Sequence, residues 1–436
     1  MKLSERDKKF IWHPFTQEKT ANLPIAITKG SGSYLYDENN KAYLDLISSW
    51  WVNLHGHANP KIAKAIYEQA ITLEHVIFAG FTHEPAVKVC EQLKDLLPQQ
   101  LSKFFFSDNG STSVEVALKM AYQYWWNLGN KERNTFLSFA GGYHGDTFGA
   151  MSVGSASGFH DPFAKLFFSV LTIPFPATWH EDSLVDHKEN QALDVLKNYL
   201  HTHGLKIAAI ILEPLVQGAR GMKMCRSKFI NEVVNLVRSH GILIIFDEVM
   251  TNFGRTGSNF AFEQTKVVPD FLCIAKGLTG GFLPLALTIT SDAIYNAFLG
   301  DHFSTAFAHG HSYTANPLGC AAAIASLDLL VQHDTLAAIK AINVNHQKNI
   351  LHLLDACGDK IKHARILGTI AAFDINFKMN DNNQKLMTTL IERLIKQGLL
   401  IRPLGNTIYL LPPYSTTKAE LDESYEKIKF AISNLN

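Results

Sequence analysis

Three short stretches of the chain hold residues whose types suit chemistry. The first is FLCIAKGLTGG (271–281), an apolar run that ends in Lys276 just before a glycine-rich turn. An ammonium placed there loses its water, and a desolvated lysine is the form that attacks carbonyls and carries protons. The second is ILIIFDEVMTNFGRTG (242–257), in which Asp247 and Glu248 close another apolar run. A carboxylate in that position is costly unless a cation meets it. The third, FFFSDNGSTSVEVALKMA (104–121), reads as a strand, a polar turn and an amphipathic helix, with Gly110, Ser111 and Thr112 at the start of the helix. Free N–H groups, hydroxyls and the positive end of a helix dipole suit a phosphate. A Ser or Thr at that point also serves as an ordinary N-cap.

Lys276 follows Asp247 by 29 residues, about one strand–crossover–strand step. Two parallel strands would put both side chains at the carboxyl edge of a sheet, where open α/β sheets bind ligands. A phosphate cradle, a buried acid and a desolvated lysine on one edge have a joint meaning. Pyridoxal phosphate needs an anchor for its phosphate, an acid that keeps its ring nitrogen protonated and a lysine that forms the Schiff base. The rival reading of the same residues is a non-catalytic α/β binding protein whose Asp247 and Lys276 form a structural ion pair. Other chemistries lack their motifs: there is no GxxxxGK[ST], GxGxxG or GxSxG. The HxH pairs His55/His57 and His309/His311 stand without a Cys or carboxylate cluster at ligand spacing. They are expected to be polar loop residues lining a cleft rather than metal ligands.

The elements that must position these residues follow from the hydrophobic pattern. Apolar runs recur at 103–107, 134–139, 169–174, 207–213, 241–249, 271–276 and 285–291. Continuous rather than alternating, they are expected to be strands covered on both faces. Helical patterns at 113–127 and 228–241 lie between some of them, the second ending on Gly241. The fold class is therefore α/β, with a largely parallel sheet. Short strand-like pieces fill 20–46, with a turn at 37–40. Beyond a helix beginning near Asn316, strand candidates stand at 366–375, 399–403 and 407–413. The last helix places Leu421, Tyr425, Ile428 and Leu435 on one face. The expected division is an N-terminal segment (1–55) joining a small α+β domain, a large cofactor-binding domain (56–325) and a C-terminal small domain (326–436).

The 436 residues are 47% hydrophobic and 18% charged, with a formal net charge of zero. Such a chain can bury a large core and presents no electrostatic case for nucleic acid or a membrane surface. Its start is charged, its apolar runs are too short to span a bilayer, and its five cysteines lack CxxC spacing. A cytoplasmic protein is expected.

DEVMTNFGRTG followed by PDFLCIAKGLTGG resembles the signature of the class III pyridoxal-phosphate aminotransferases of fold type I. IWHPFTQ (11–17), SSWWVNLHGHANP (48–60), GYHGDTFGAMSVG (142–154) and IRPLGNTIYLLPPY (401–414) are similar to the biotin-pathway branch of that family. The resemblance spans nearly the whole chain. It implies ping-pong transamination through a Schiff base, from S-adenosyl-L-methionine to 8-amino-7-oxononanoate, giving 7,8-diaminononanoate. Lysine as donor and another class III ω-aminotransferase are the alternatives.

The resemblance makes Lys276 the Schiff-base lysine and proton carrier, Asp247 the partner of the pyridinium nitrogen, and Gly110 and Ser111 the phosphate site. Tyr143 would stack on the cofactor ring and, with Trp50, line the substrate pocket; Arg402 would take the substrate carboxylate. Gly310, His311 and Ser312 would reach the cofactor and substrate of a neighbouring subunit, implying a homodimer with shared active sites. Trp50 and Trp51, read as strand neighbours, should face opposite sides, with Trp50 in the pocket and Trp51 in the core. Three positions depart from the family pattern. Phe15 (HPFT for HPYT) lacks a hydroxyl that would face the donor or cofactor. HGHS at 309–312 replaces HGPT and keeps a hydroxyl in Ser312. Asn252 replaces a glycine, and it is the non-glycine type best suited to positive φ.

Overall fold

The computed structural model describes residues 2–154, 160–377 and 381–435, with side chains at 381–383 left aside. All seven central apolar runs become strands of one sheet: β1 (Lys103–Ser107), β2 (Thr135–Phe139), β3 (Val170–Ile173), β4 (Ile207–Leu212), β5 (Leu243–Asp247), β6 (Phe271–Ile274) and β7 (Ala286–Thr290). Their spatial order is β1-β7-β6-β5-β4-β2-β3. β5 runs parallel to β4 and β6, and β2 to β3 and β4; β7 alone is antiparallel to its neighbours.

The absence of alternation in these runs has a direct cause. Ile211, Ile245 and Cys273 face the helix Gly110–Asn127, whereas Ile210, Ile244, Phe246 and Leu272 face the opposite layer, which holds Phe229 and Val233 of helix Ser227–Ser239. Each face of each strand is buried, so both parities must be apolar. The first helix begins three residues before the pattern suggested, because Asn109 caps it: its side chain accepts from the Thr112 N–H, and the Thr112 hydroxyl accepts from the Asn109 N–H.

Both chain ends contribute smaller sheets. Strands Ile27–Ser31, Tyr34–Asp37 and Ala42–Asp45 pair in sequence, and Leu399–Leu400 joins them in parallel beside Leu44 and Asp45. The run expected as one strand at 366–375 is instead a hairpin, Ile361–Leu367 and Ile370–Ile375, turning at Gly368 with φ +58. Leu421, Tyr425 and Ile428 are buried on helix Lys418–Ser433, while Leu435 lies just past its end. No single helix among the described residues is long and apolar enough to cross a membrane. All five cysteines are unpaired.

The segment after Ala42–Asp45 is the main departure from the sequence reading. Ser48, Ser49, Trp50 and Trp51 have φ of 50, 45, 69 and 74°: one turn of left-handed helix built without glycine. Its hydrogen bonds run from Trp51 N–H to Ile47 C=O (2.8 Å) and from Val52 N–H to Ser48 C=O (2.9 Å). Left-handed φ costs an L-residue about 1–2 kcal/mol, so the turn stands only where its surroundings fix it. Ser48 Oγ donates to Leu411 O (2.7 Å) and Ser49 Oγ to Asp45 Oδ2 (2.8 Å). His57 Nε2 lies 2.9 Å from the same Asp45 oxygen and its Nδ1 3.1 Å from Asn53. His57 is thus a brace for this turn and not a cleft residue. His55, bonded to Ser326 and pushed down to about 4 by burial, packs beside it as a neutral side chain.

Arg255 completes the support. It is 1% exposed, and its guanidinium donates to the carbonyls of Asn53 (2.9 Å), Trp51 (3.3 Å) and Pro412 (2.9 Å). Replacing Arg255 by Ala should leave three buried carbonyls unpaired and cost about 3–5 kcal/mol. The expected outcome is a lower urea midpoint together with altered fluorescence of Trp50 and Trp51; an unchanged midpoint would refute the brace.

Candidate active site

The carboxyl ends of β4, β5 and β6 supply the centre of the site. Asp247 ends β5 and pairs with Cys273 of the parallel β6, so Lys276, three residues on, emerges at the same edge. The connection between the two strands, 248–270, holds no α-helix, only a short 3-10 turn at Ala261–Gln264. Lys276 has φ +49 and opens a second such turn, which swings the chain away from the sheet. Gly281, at φ +87, meets a steric requirement besides that of the turn. A Cβ there would come within 2.9–3.0 Å of Val52 and Asn53, so the glycine admits the N-terminal segment.

Two cavities meet at Lys276, Tyr143 and Trp51, which line both. The inner one, about 500 Å³, is lined by Gly110, Ser111, His144, Glu213 and Asp247 among others. The outer, about 1050 Å³, is lined by Phe15, Trp50, Arg220, Lys223, Arg402 and Thr407 among others. Nζ of Lys276 lies 4.6 Å from the centre of the Trp51 ring and makes no hydrogen bond or ion pair among the described residues. The ion pair with Asp247 that the binding-protein reading requires is absent among those residues.

Asp247 instead accepts from the Val249 N–H (3.0 Å) and stands 2.7 Å from His144 Nδ1. Burial works against a charged His144, but its bond to Asp247 prevails and raises its pKa. Glu213, the residue after β4, accepts from the N–H groups of Gly218 (2.9 Å) and Tyr143 (3.2 Å). Burial, with Asp247 nearby, lifts it to about 7. Glu248 turns the opposite way, accepting from Ala261 and Phe262 N–H groups and the Thr251 hydroxyl, and burial pushes it up to about 8. His144 and Glu213 escaped the sequence reading, although the GYHGD stretch and the acid ending IAAIILE carried the signal.

At the mouth of the inner cavity, the N–H groups of Gly110 and Ser111 begin the helix without partners among the described residues. Space around them is set by glycine. A Cβ on Gly110 would meet Val249 at 2.6 Å, and one on Gly145 (φ +125) would overlap Ser111 Oγ, which accepts from the Asp146 N–H. This cradle, an acid at one end and an unpaired lysine together fit a phosphorylated pyridine aldehyde.

In the outer cavity Trp50 and Trp51 do not face opposite sides, because the left-handed turn removes the strand alternation. Trp51 is 4% exposed and bonds Tyr409, yet it also floors the site under Lys276; it is not core alone. Phe15 meets Trp50 edge-on at 5.5 Å, and the Arg402 guanidinium lies 4.7 Å over the same ring. Gly310 and Ser312 are exposed and line neither cavity; His311 is 3.8 Å from Asp108 and 3.3 Å from His309. No group of three or more metal-ligating side chains occurs among the described residues. Asn252 does not need positive φ, which falls on Phe253 and Gly254; its side chain donates to Ala275 O (3.2 Å).

Sheet order, helix N-terminus and strand-end lysine together define a fold type I pyridoxal-phosphate-dependent enzyme. The class III aminotransferase family matches residues 15–432, and the chain belongs to that family. It is 49% identical to the adenosylmethionine-8-amino-7-oxononanoate aminotransferase of Synechococcus elongatus, over 96% of this chain and 97% of that protein. Identity to the Helicobacter pylori enzyme of the same name is 40%, over 99% and 96%. Among solved structures, the enzyme of that name from Methanocaldococcus jannaschii superposes with a TM-score of 0.92 at 34% identity, covering 100% of this chain and 99% of that one. An amine transaminase from an uncultivated Pseudomonas species, in its PLP-bound form, gives 0.91 at 29%, covering 98% and 99%.

Burial lowers Lys276 from 10.5 to about 8, against the pull of Asp247 and Glu213. Between those two values the folded chain binds fewer protons at Lys276 than the unfolded one, so its stability should rise with pH across that window. Without cofactor, the deficit of wild type relative to Lys276→Met should shrink from pH 8 to 10.5 in urea midpoints. A constant difference would contradict the burial argument.

Proposed function

We propose that the chain transfers the amino group of S-adenosyl-L-methionine to 8-amino-7-oxononanoate in biotin biosynthesis, in the cytoplasm and as a homodimer. The observation carrying this reading is a half-buried Lys276 at the junction of a phosphate-cradling cavity and an aromatic cavity that holds an arginine, neither cation having an ion-pair partner among the described residues. The relatives' shared name supplies the substrate pair.

Pyridoxal phosphate, when bound, supplies a carbonyl carbon for the amino group and a ring that accepts an electron pair. The chain's residues do the rest. Gly110 and Ser111 would hold the phosphate through N–H and hydroxyl groups. Asp247, fixed by His144 and the Val249 N–H, would keep the ring nitrogen protonated. Tyr143, whose hydroxyl donates to Asp146 (2.8 Å), would stack on the ring. Lys276, lowered to about 8, is neutral often enough near pH 7–8 to take a proton from one carbon and return it to another. Trp50 and Tyr143 would wall the apolar chain of the acceptor while Arg402 takes its carboxylate. Gly310, His311 and Ser312 would serve the neighbouring subunit, a role supported by the exposure of Gly310 and Ser312 outside both cavities.

Phe15 favours a second reading of the donor: it offers the outer cavity an edge without a hydroxyl, which leaves lysine as a candidate. Cofactor-loaded protein should be mixed separately with S-adenosylmethionine, lysine, glutamate and alanine while absorbance is followed. Adenosylmethionine should bleach the cofactor band, and adding 8-amino-7-oxononanoate should then restore it and yield 7,8-diaminononanoate. Bleaching by lysine alone would reassign the donor. Lys276→Ala should lose turnover by several orders of magnitude with the fold intact, and retained turnover would refute its role.

A further inference from the structure

The sequence led us to expect one arginine for the substrate carboxylate, and the outer cavity holds two. Arg220 and Arg402 both line it, and neither has a carboxylate within 4.0 Å or a hydrogen bond among the described residues. The third cation on its wall, Lys223, is committed to Asp374 at 3.4 Å.

Arg220 stands on a turn that is built rather than loose. The Gly218 carbonyl accepts from the N–H groups of Gly221 (3.2 Å) and Met222 (3.0 Å). Gly221 has φ +92, and a Cβ on it would meet Thr407 Oγ1 at 2.6 Å, so the turn is pressed against the cavity wall. Beneath it, buried Arg365 donates to the carbonyls of Gly221 and Met222 and is held by Asp374 at 2.8 Å. Two charge pairs with Asp374 therefore fix the base of the turn and leave the Arg220 guanidinium without an acid.

We propose that Arg220 is a second carboxylate-binding residue of the outer cavity, acting with Arg402 on the carboxylate of the amino-group acceptor. The inference rests on the acceptor named above. That molecule carries its carboxylate at the far end of an apolar chain from the reacting ketone. The donor amino acid carries its carboxylate on the carbon that reacts, next to the inner cavity. Arg220 lines only the outer cavity, so the anion it can meet is the remote one.

The test compares 8-amino-7-oxononanoate with its methyl ester on the holoenzyme, in wild type, Arg220→Met and Arg220→Lys. Arg220→Met should raise KM for the acid about tenfold with little change in kcat, the size expected for one lost charge-assisted contact. KM for the ester should move little, so the preference for acid over ester falls by the same factor. Arg220→Lys should recover part of it. A merely structural role would raise both KM values together; an unchanged acid-over-ester preference, whether KM stays put for both or rises equally for both, overturns the proposal. Failure of the wild type to aminate the acid at all would overturn the acceptor reading instead.

Discussion

The site depends on a buried guanidinium that has no carboxylate within 4.0 Å among the described residues. Arg255 offers its N–H groups to three carbonyls in two segments distant from it in sequence, 51–53 and Pro412, and burial lowers its pKa from the usual arginine range. Its charge is met by carbonyl dipoles, by the face of Tyr414, 5.3 Å from its carbon, and at longer range by Asp45. Because it sits in the loop that follows Asp247, the loop and the left-handed turn cannot move independently. Trp51, which floors the site, is therefore registered to the strand that carries the acid. Tight approaches reinforce the register: Gly281 lies against Val52 and Asn53, and a Cβ on Gly277 would come within 3.0 Å of Leu54.

Much of this was legible before any coordinates. The seven strands were visible because burial on both faces demands apolar residues at every position, and the spacing of Asp247 and Lys276 predicted their common edge. What failed shares a cause. Alternation of Trp50 and Trp51 requires an extended backbone, and nothing local in SSWW announces left-handed φ; that conformation is imposed by Asp45, Leu411 and Arg255 outside it. Gly368 was read as part of a strand because its apolar neighbours on both sides hid the hairpin. His144 was passed over because its importance lies in a 2.7 Å contact with a residue 103 positions away.

The two cavities are polarised in opposite senses. The inner one gathers Asp247 and Glu213 around Lys276, so a cationic ring nitrogen is welcome there and the lysine is held near the point of losing its proton. The outer one carries Arg220, Lys223 and Arg402 on aromatic and backbone walls, suited to an anion on an apolar chain. A substrate with its reacting carbon at one end and its charge at the other is thereby oriented before any chemistry begins.

The left-handed turn at 48–51 sets two demands on the same residues against each other. At positive φ a glycine would relax the backbone, yet it would also remove the indole that Trp50 places on the wall of the outer cavity. Changes that relax the backbone at this position therefore open the cavity wall, and changes that keep the wall must carry the strain. The surrounding brace of Asp45, His57, Asn53 and Arg255 is then the part of the molecule that lets an aromatic cavity wall persist where selection for stability alone would erode it.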